Sequence, residues 1–260
     1  MVRRRITSAE FPLVVAHRGA SADHPENTLV AFEAAIAAGA DGVELDVRLT
    51  ADGVAVVLHD AETGVVTDGS GPVSGMRLAE LKRLRVRGEK VPTLDEALEV
   101  ISGRAIANLE IKNLPGEADY DSPREAVVEA VAASVQRVGF EGTVLVSSFN
   151  WLSIERAREL LPGALTGFLT IGAIDPRAAL VYARSRGHDY VLPHVEALLG
   201  VGADYVADAH EAGLRVGTWT VDEDDRLATL FGWEVDAVAT NRPDAAVRVR
   251  DRVRAGRTGP

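Results

Sequence analysis

The 260-residue chain contains no cysteine, only three lysines and 5% aromatic residues. The absence of cysteine excludes disulfides, thiol nucleophiles and thiolate metal sites. No apolar run approaches the roughly 18 residues of a membrane-spanning helix. The apolar part of the N-terminal segment is also too short for a signal peptide, so we expect a soluble protein of the cytoplasm without stable membrane insertion. The net charge of −11 argues against a nucleic-acid partner.

Short β-branched runs alternate along the chain with longer stretches rich in Ala, Leu and Glu, which is the pattern of βα units around a parallel sheet. The eight strand candidates are residues 13–16, 42–49, 105–111, 143–147, 165–169, 190–192, 215–219 and 237–240. At this length the pattern predicts an α/β fold closed as a (βα)8 TIM barrel. No linker or repeat marks a second domain, so residues 1–260 are expected to form one barrel.

Three local features depart from a plain barrel or refine it. Residues 61–91 are glycine-rich and then helical, and we expect them to form a small insertion. Residues 248–260 carry five arginines and are expected to be a flexible tail. Asn27 precedes the first amphipathic stretch and is predicted to cap its helix, which ends at Gly39.

A β-hairpin is predicted next to the second strand, because two period-2 runs flank an Asp-Gly turn at 52–53. Pairing Thr50 with Gly53 places His59 opposite Glu44, and directly opposed residues share a face. The hairpin extension is therefore expected to return His59 to the side of Glu44.

Chemically active side chains gather at the predicted C-terminal strand ends, where barrel enzymes place their sites. They are His17, Arg18, Glu44, Asp46, His59, Glu110 and Lys112. The carboxylates offer hard oxygen ligands suited to Mg²⁺ or Ca²⁺, and the two cations can hold a phosphate. The histidines can act as base and acid near neutral pH. Cleavage of a phosphodiester requires this combination.

Seven motifs follow one another along residues 14–243. They are AHRGASADHPENTLVAFEAAIAAGADGVELDV, TADGVAVVLHD, VPTLDEAL, NLEIK, SSF, WTVD and TNRP. Their order resembles that of the glycerophosphodiester phosphodiesterase family. The resemblance implies a (βα)8 barrel with a small insertion, which hydrolyses glycerophosphodiesters to sn-glycerol 3-phosphate and an alcohol. The expected partner is thus a small glycerophosphodiester, whereas the preferred alcohol and the oligomeric state do not follow.

The same resemblance implies roles for nine residues. By this resemblance the catalytic acid–base pair is His17 and His59, and the ligands of one divalent cation (Mg²⁺ or Ca²⁺) are Glu44, Asp46 and Glu110. The phosphate contacts are Arg18 and Lys112, and the pocket is lined by Phe149 and Trp219. We favour His17 as base and His59 as acid, with either water or the neighbouring glycerol hydroxyl as nucleophile. The chain departs from the family pattern in the shortened segment after Asp60 and in Asp222, where the family often has Asn.

Two alternative functions remain open. One is a lysophospholipase D-like phosphodiesterase acting on lysophospholipids, which would call for an exposed apolar lip. The short polar insertion at 64–75 offers little of one. The other is a non-catalytic protein that binds a phosphate ligand, although such a protein has no need of both histidines and all three carboxylates.

Overall fold

The computed structural model describes residues 12–257, so most of the N-terminal segment discussed above and the last three residues lie outside it. The strands in chain order are β1 Leu13–His17, β2 Gly42–Leu49, β3 Ala55–Val57, β4 Arg85–Val86, β5 Glu89–Lys90, β6 Ile106–Ile111, β7 Val144–Ser148, β8 Leu165–Thr170, β9 Tyr190–Pro193, β10 Arg215–Thr218 and β11 Ala237–Thr240. The helices are α1 Leu29–Ala37, α2 Leu78–Leu81, α3 Leu94–Ile101, α4 Ala126–Val138, α5 Trp151–Leu160, α6 Pro176–Arg186, α7 Val195–Val201, α8 Asp204–Glu211, α9 Asp224–Gly232 and α10 Pro243–Arg257.

Eight of these strands form a closed parallel barrel in the order β1, β2, β6, β7, β8, β9, β10 and β11. The barrel closes because β1 pairs in parallel with both β11 and β2. These are the eight strands expected from the sequence, and the predicted TIM barrel is confirmed. Helices connect most consecutive strands and cover the outside of the barrel.

The alternation of side chains along each strand separates two regions of the interior. On β2, Leu45 and Val47 belong to the apolar layer between the barrel and its helices. Glu44 and Asp46, at the intervening positions, face the inside of the barrel. Both faces are buried, which explains why the burial of β2 runs almost without interruption from Gly42. The polar residues that recur at every second position of β2 therefore line the interior of the barrel.

The start of α1 differs from our prediction. Thr28, not Asn27, is the N-cap, and its hydroxyl accepts a hydrogen bond from the Ala31 amide at 3.4 Å. Asn27 is buried with φ +57° just before the helix. The prediction of Asn27 as the cap is wrong because its side chain is used by Asp46, as described below.

The hairpin is present, but its register differs by one residue from the predicted one. Val47 pairs with Val57 and Leu49 with Ala55, whereas the prediction required Val47 to pair with Val56. The regular pairing of β3 ends at Val57, so His59 lies beyond it and the register does not fix the face on which its side chain lies. His59 nonetheless lies at the barrel mouth: the Leu58 amide before it donates to the Asp46 carbonyl at 3.0 Å, and the His59 carbonyl accepts from Arg48 Nε at 2.7 Å.

The insertion and the C-terminal segment have defined structures. Residues 61–91 carry two single 3₁₀ turns, α2 and the β4–β5 hairpin, and they pack Val73 and Leu81 against Leu58. We expected a flexible tail from residue 248, but α10 continues to Arg257, whose guanidinium bonds to the backbone of the α9 end. None of the helices in residues 12–257 has the length and apolar character needed to span a bilayer.

Candidate active site

The parallel register brings the predicted residues together at the C-terminal end of the barrel. His17 on β1 is the neighbour of Glu44 on β2. Asp46, two residues along β2, is the neighbour of Glu110 on β6. Lys112 follows Glu110 at the same two-residue spacing, so its side chain lies on the same inward face.

The carboxylates of Glu44, Asp46 and Glu110 form a compact buried triad. Each offers one oxygen, and these oxygens lie within 4.8 Å of one another. Within residues 12–257, Glu44 Oε1 is buried and has no hydrogen-bond partner, and Asp46 Oδ1 is buried beside the Lys112 ammonium at 3.0 Å. Three clustered hard oxygen donors, one of them without a hydrogen-bond partner, fit a divalent cation such as Mg²⁺ or Ca²⁺. The residues present therefore suit the metal that the sequence predicted.

Burial and mutual repulsion control the charge of this triad. Burial, together with the charges of Asp46 and Glu110, raises the pKa of Glu44 well above its usual range. Burial also raises the pKa of Glu110. At Asp46 burial acts in the same direction, but the charges of Lys112 and Arg18 outweigh it and hold the pKa of Asp46 well below its usual value.

Lys112 and Arg18 approach the triad from two sides. The Lys112 ammonium lies 3.0 Å from Asp46 Oδ1 and also contacts Glu110. Arg18 Nε lies 3.1 Å from Asp46 Oδ2, and the Arg18 amide donates to Glu44 Oε2 at 2.9 Å. Burial opposes the charged form of Lys112, yet the charge of Asp46 raises its pKa. Both cations therefore stay charged beside the carboxylates.

The tight turn after β1 aims the Arg18 amide at the triad. Arg18 has φ +57° and Gly19 has φ +83°. A Cβ at Gly19 would lie 2.7 Å from the Ala31 side chain, so only glycine fits this position. The HRG motif thus combines a charged side chain with the backbone geometry that presents its amide.

Two histidines flank the charged group. His17 Nδ1 lies 2.8 Å from Asn241 Oδ1. Burial and the nearby charge of Arg18 lower the pKa of His17 to about 4. His59 Nδ1 lies 3.0 Å from Asp60 Oδ1. Burial lowers the pKa of His59, while the charge of Asp46 acts in the opposite direction.

The sequence reasoning missed two buried side chains that brace this site. Asn27 donates to Asp46 Oδ2 at 2.7 Å and accepts from the Asp46 amide at 3.2 Å. Arg48, only 1% exposed, donates to the His59 carbonyl at 2.7 Å and forms a paired contact with Glu117. The signal for Arg48 was available, since it continues the inward period-2 pattern of Glu44 and Asp46.

Aromatic rings occupy the opposite side of the mouth. Phe149 and Trp219 meet edge-on with ring centres 5.3 Å apart, and Trp219 meets His194 at 4.9 Å. The Lys112 ammonium lies 5.9 Å from the Phe149 ring centre. Trp219 is fixed by a hydrogen bond from Nε1 to the Leu192 carbonyl at 3.0 Å. All nine residues predicted for the site therefore lie around the same barrel end.

Comparisons with known proteins agree with this arrangement. The family model described as "Glycerophosphoryl diester phosphodiesterase family" matches residues 17–245. A glycerophosphodiester phosphodiesterase of Caldanaerobacter subterraneus subsp. tengcongensis is 33% identical over 248 residues, which are 91% of this chain and 97% of the relative. A protein of the same name from Bacillus altitudinis is 31% identical, covering 93% of this chain and 99% of the relative.

Solved structures show the same similarity. An Oleispira antarctica phosphodiesterase, solved in complex with the product sn-glycerol-3-phosphate, has a TM-score of 0.82 at 30% identity, covering 93% of this chain and 97% of that one. A glycerophosphodiester phosphodiesterase from Parabacteroides distasonis has a TM-score of 0.81 at 26% identity, covering 94% and 98% of the two chains.

The barrel and these matches define the class of protein first: it is a phosphodiester-hydrolysing enzyme on a TIM barrel. More narrowly, the chain belongs to the glycerophosphodiester phosphodiesterase family, as its motif order suggested. The predicted cytoplasmic location stays a prediction.

Proposed function

We propose that this protein acts as a single catalytic barrel that hydrolyses glycerophosphodiesters to sn-glycerol 3-phosphate and an alcohol, with one divalent cation held by Glu44, Asp46 and Glu110. The observation that carries the proposal is the buried carboxylate triad, which has an unpartnered oxygen on Glu44 and lies between two cations and two histidines. A binding protein without catalysis gains nothing from two histidines at this position.

The charge of the site supports a metal-dependent reaction. With all three carboxylates ionised, the site would carry one more negative charge than Arg18 and Lys112 balance, and the raised pKa values of Glu44 and Glu110 reflect this repulsion together with burial. A bound Mg²⁺ or Ca²⁺ would reverse the sign of this local charge and polarise a phosphoryl oxygen. Arg18 and Lys112 then contact the phosphate, for which their guanidinium and ammonium groups are suited.

The two histidines divide the proton transfers. His17 is uncharged at neutral pH, since burial and Arg18 lower its pKa to about 4, and it takes the proton of the attacking hydroxyl. That hydroxyl belongs either to water, which gives sn-glycerol 3-phosphate directly, or to the neighbouring glycerol carbon. In the second case departure of the alcohol leaves a five-membered cyclic phosphate, which a water molecule then opens to sn-glycerol 3-phosphate. His59, whose pKa burial lowers and the negative charge of Asp46 raises in part, delivers a proton to the oxygen of the departing alcohol. The bond between phosphorus and that oxygen breaks.

A coupled assay for sn-glycerol 3-phosphate tests the proposal. Glycerophosphocholine and glycerophosphoethanolamine would each be supplied with chelator, Mg²⁺ or Ca²⁺, beside a His17→Ala variant. We expect product only with metal and only from the unaltered enzyme. Release of product in chelator would contradict the metal assignment, and absence of product with either metal would contradict the substrate class.

A second candidate function is hydrolysis of lysophospholipids, and one structural feature favours it. Trp151 is 54% exposed, Ile171 52% and Ile174 39%, and all three follow the ends of the neighbouring strands β7 and β8. A Cβ on Gly172 would lie 3.8 Å from His194, so this loop adjoins the aromatic side of the mouth. These exposed side chains would supply, on the other side of the mouth, the apolar lip that the insertion lacks.

Matched substrates distinguish the two candidates. Glycerophosphocholine and its acylated form differ by one hydrocarbon chain. If Ile171→Ser and Ile174→Ser lower kcat/KM for the acylated substrate and leave that for glycerophosphocholine unchanged, the lip binds the acyl chain. Failure of the unaltered enzyme to hydrolyse the acylated substrate would remove the second candidate.

A further inference from the structure

A chain of hydrogen bonds between half-buried side chains leads to the Nδ1 atom of His17. His17 Nδ1 lies 2.8 Å from Asn241 Oδ1. Asn241 in turn donates from Nδ2 to Asp222 Oδ2 at 2.7 Å and from its backbone amide to Asp222 Oδ1 at 2.8 Å. The Thr240 hydroxyl also donates to Asp222 Oδ1, at 2.9 Å. Both oxygens of Asp222 are thus used to hold this one segment.

The barrel register explains why these groups meet. Ala16 on β1 is the neighbour of Thr240 on β11, so His17 and Asn241 come next to each other one residue later. Asp222 arrives from a different element, the connection between β10 and α9. Three consecutive barrel strands therefore contribute to the environment of one imidazole.

The carboxylate of Asp222 determines which way the Asn241 amide faces. If the amide were turned over, its oxygen would face Asp222 Oδ2 at 2.7 Å, and two acceptors would repel each other. Ser21, the other neighbour, does not decide the matter, because its hydroxyl lies 2.8 Å from Asn241 Oδ1 and 2.7 Å from the His17 carbonyl, and it can adapt to either arrangement. The amide oxygen must therefore face His17.

We propose that Asp222 and Asn241 are positioning residues that fix the tautomer of His17, with the proton on Nδ1 and the lone pair on Nε2. An amide oxygen only accepts hydrogen bonds, so the ring nitrogen facing it must carry the proton. Nε2 is then the nitrogen that receives the proton of the nucleophile. This inference rests on the proposed function in one respect, namely that His17 is the base.

The proposal also accounts for Asp222, which the sequence analysis noted only as a departure from the family pattern. An asparagine side chain at this position has one acceptor oxygen and one amide group in place of two acceptor oxygens. It can receive fewer of the three hydrogen bonds that Thr240 and Asn241 donate here. A carboxylate therefore holds the Asn241 amide in one orientation more firmly.

Nitrogen-15 NMR of the full chain with labelled histidine reports the tautomer directly. His17→Gln identifies the His17 signals by their disappearance. In the unaltered protein we expect Nδ1 to be protonated and Nε2 to be bare at neutral pH. Asn241→Ala should lose this preference and lower kcat by about 10- to 100-fold, the usual cost of losing a group that orients a catalytic residue. KM and metal affinity should change little.

Two further variants separate positioning from general damage. Ser21→Ala leaves the bond between Asp222 and Asn241 in place, so the tautomer should be retained. Asp222→Ala should shift it, and the double variant with Asn241→Ala should lose no more kcat than Asn241→Ala alone, because both act through one contact.

The tautomer measurement makes the outcome independent of the reaction. A His17 protonated on Nε2 in the unaltered protein would overturn the proposal, even if the Asn241 and Asp222 variants failed to fold. An unchanged tautomer in folded Asn241→Ala would do the same. The expected tautomer without hydrolysis of any glycerophosphodiester would instead refute the proposed function and leave this inference standing.

Discussion

The two sides of the barrel mouth are built from different chemistry. The arc formed by β1, β2 and β6 carries the triad of carboxylates together with Arg18 and Lys112. The arc formed by β7 to β10 carries Phe149, Trp219 and His194 around an apolar interior. Charged groups are thus concentrated on neighbouring strands, where oppositely charged partners can offset the free-energy cost of burying them. The facing side of the mouth contributes apolar surface instead.

The two histidines differ in the charged neighbours that influence their pKa values. Burial is the largest influence on both and lowers the pKa of each. The next influence differs in sign, since the charge of Arg18 lowers the pKa of His17 further and the charge of Asp46 raises that of His59. Both pKa values lie below that of a free imidazole, and Asp46 is the neighbour that most favours a protonated His59, the proposed acid.

The largest effect is expected on the charged arc from Glu44→Gln. Removing one of three carboxylates should weaken Mg²⁺ or Ca²⁺ binding and lower kcat/KM by about 10³-fold, because a bound cation contributes several kcal/mol to such reactions. Calorimetric metal titration and the coupled assay measure the two effects. Glu33→Gln, at an exposed position on α1 paired with Arg104, is the matched control. An unchanged metal titration would remove Glu44 from the ligand set.

His59→Ala should lower kcat by about 10²-fold or more and leave KM nearly unchanged, since a lost proton donor affects the chemical step and not binding. Steady-state kinetics with glycerophosphocholine measure the separation. His210→Ala, at the far end of the barrel where His210 pairs with Asp236, should leave kcat as it is. Normal turnover without His59 would exclude it from the mechanism.

A smaller effect is expected on the aromatic arc. Trp219→Phe removes the hydrogen bond to the Leu192 carbonyl and loosens the contacts with Phe149 and His194. KM should rise by about threefold to tenfold with little change in kcat, in keeping with about 1 kcal/mol for such a contact. The control is Phe168→Leu, which disturbs the aromatic pair with Tyr182 outside the barrel and should leave KM unchanged. A loss confined to kcat would indicate that Trp219 acts in the chemical step, as the residues of the charged arc do, and not in substrate binding.

The smallest effect concerns stability and a histidine outside the barrel interior. His188 is 5% exposed, and burial lowers its pKa to about 4 from 6.5. As the pH falls below 6.5 the unfolded chain takes up this proton first, so the free energy of unfolding should decrease between pH 6.5 and 4. His188→Gln should reduce the slope of the free energy of unfolding against pH by up to the contribution of about one bound proton. Urea unfolding at several pH values measures it, with the less buried His24→Gln as control; equal slopes for both variants would contradict the assignment.

Much of this site could be predicted from local pattern. The eight strands followed from hydrophobic runs, and the two-residue spacing of Glu44 with Asp46 and of Glu110 with Lys112 placed each pair on one face. Strand-end position then indicated that these pairs converge. The carboxylates, cations and histidines were recognisable because such groups are costly to bury in a strand without a partner.

The bracing residues could not be predicted in the same way. The sequence predicted Asn27 as a helix cap because the same side-chain amide can either cap a helix or bind a buried polar group. Only the fold shows that Asp46 lies next to it. The hairpin register shifted by one residue because the local turn signal does not fix pairing by itself. His59 still reached the site because the pairing stops before it.

The sequence by itself therefore determined the barrel, its family and the chemical groups at the mouth, since these depend on side-chain period and residue type. Only the tertiary structure decided which groups hold the others in place. Asn241 orients its amide between His17 and Asp222 across three strands, and Arg48 joins the His59 carbonyl to Glu117 from a separate loop. Such contacts connect residues far apart in the chain, and the closure of the barrel is what brings them within hydrogen-bond distance.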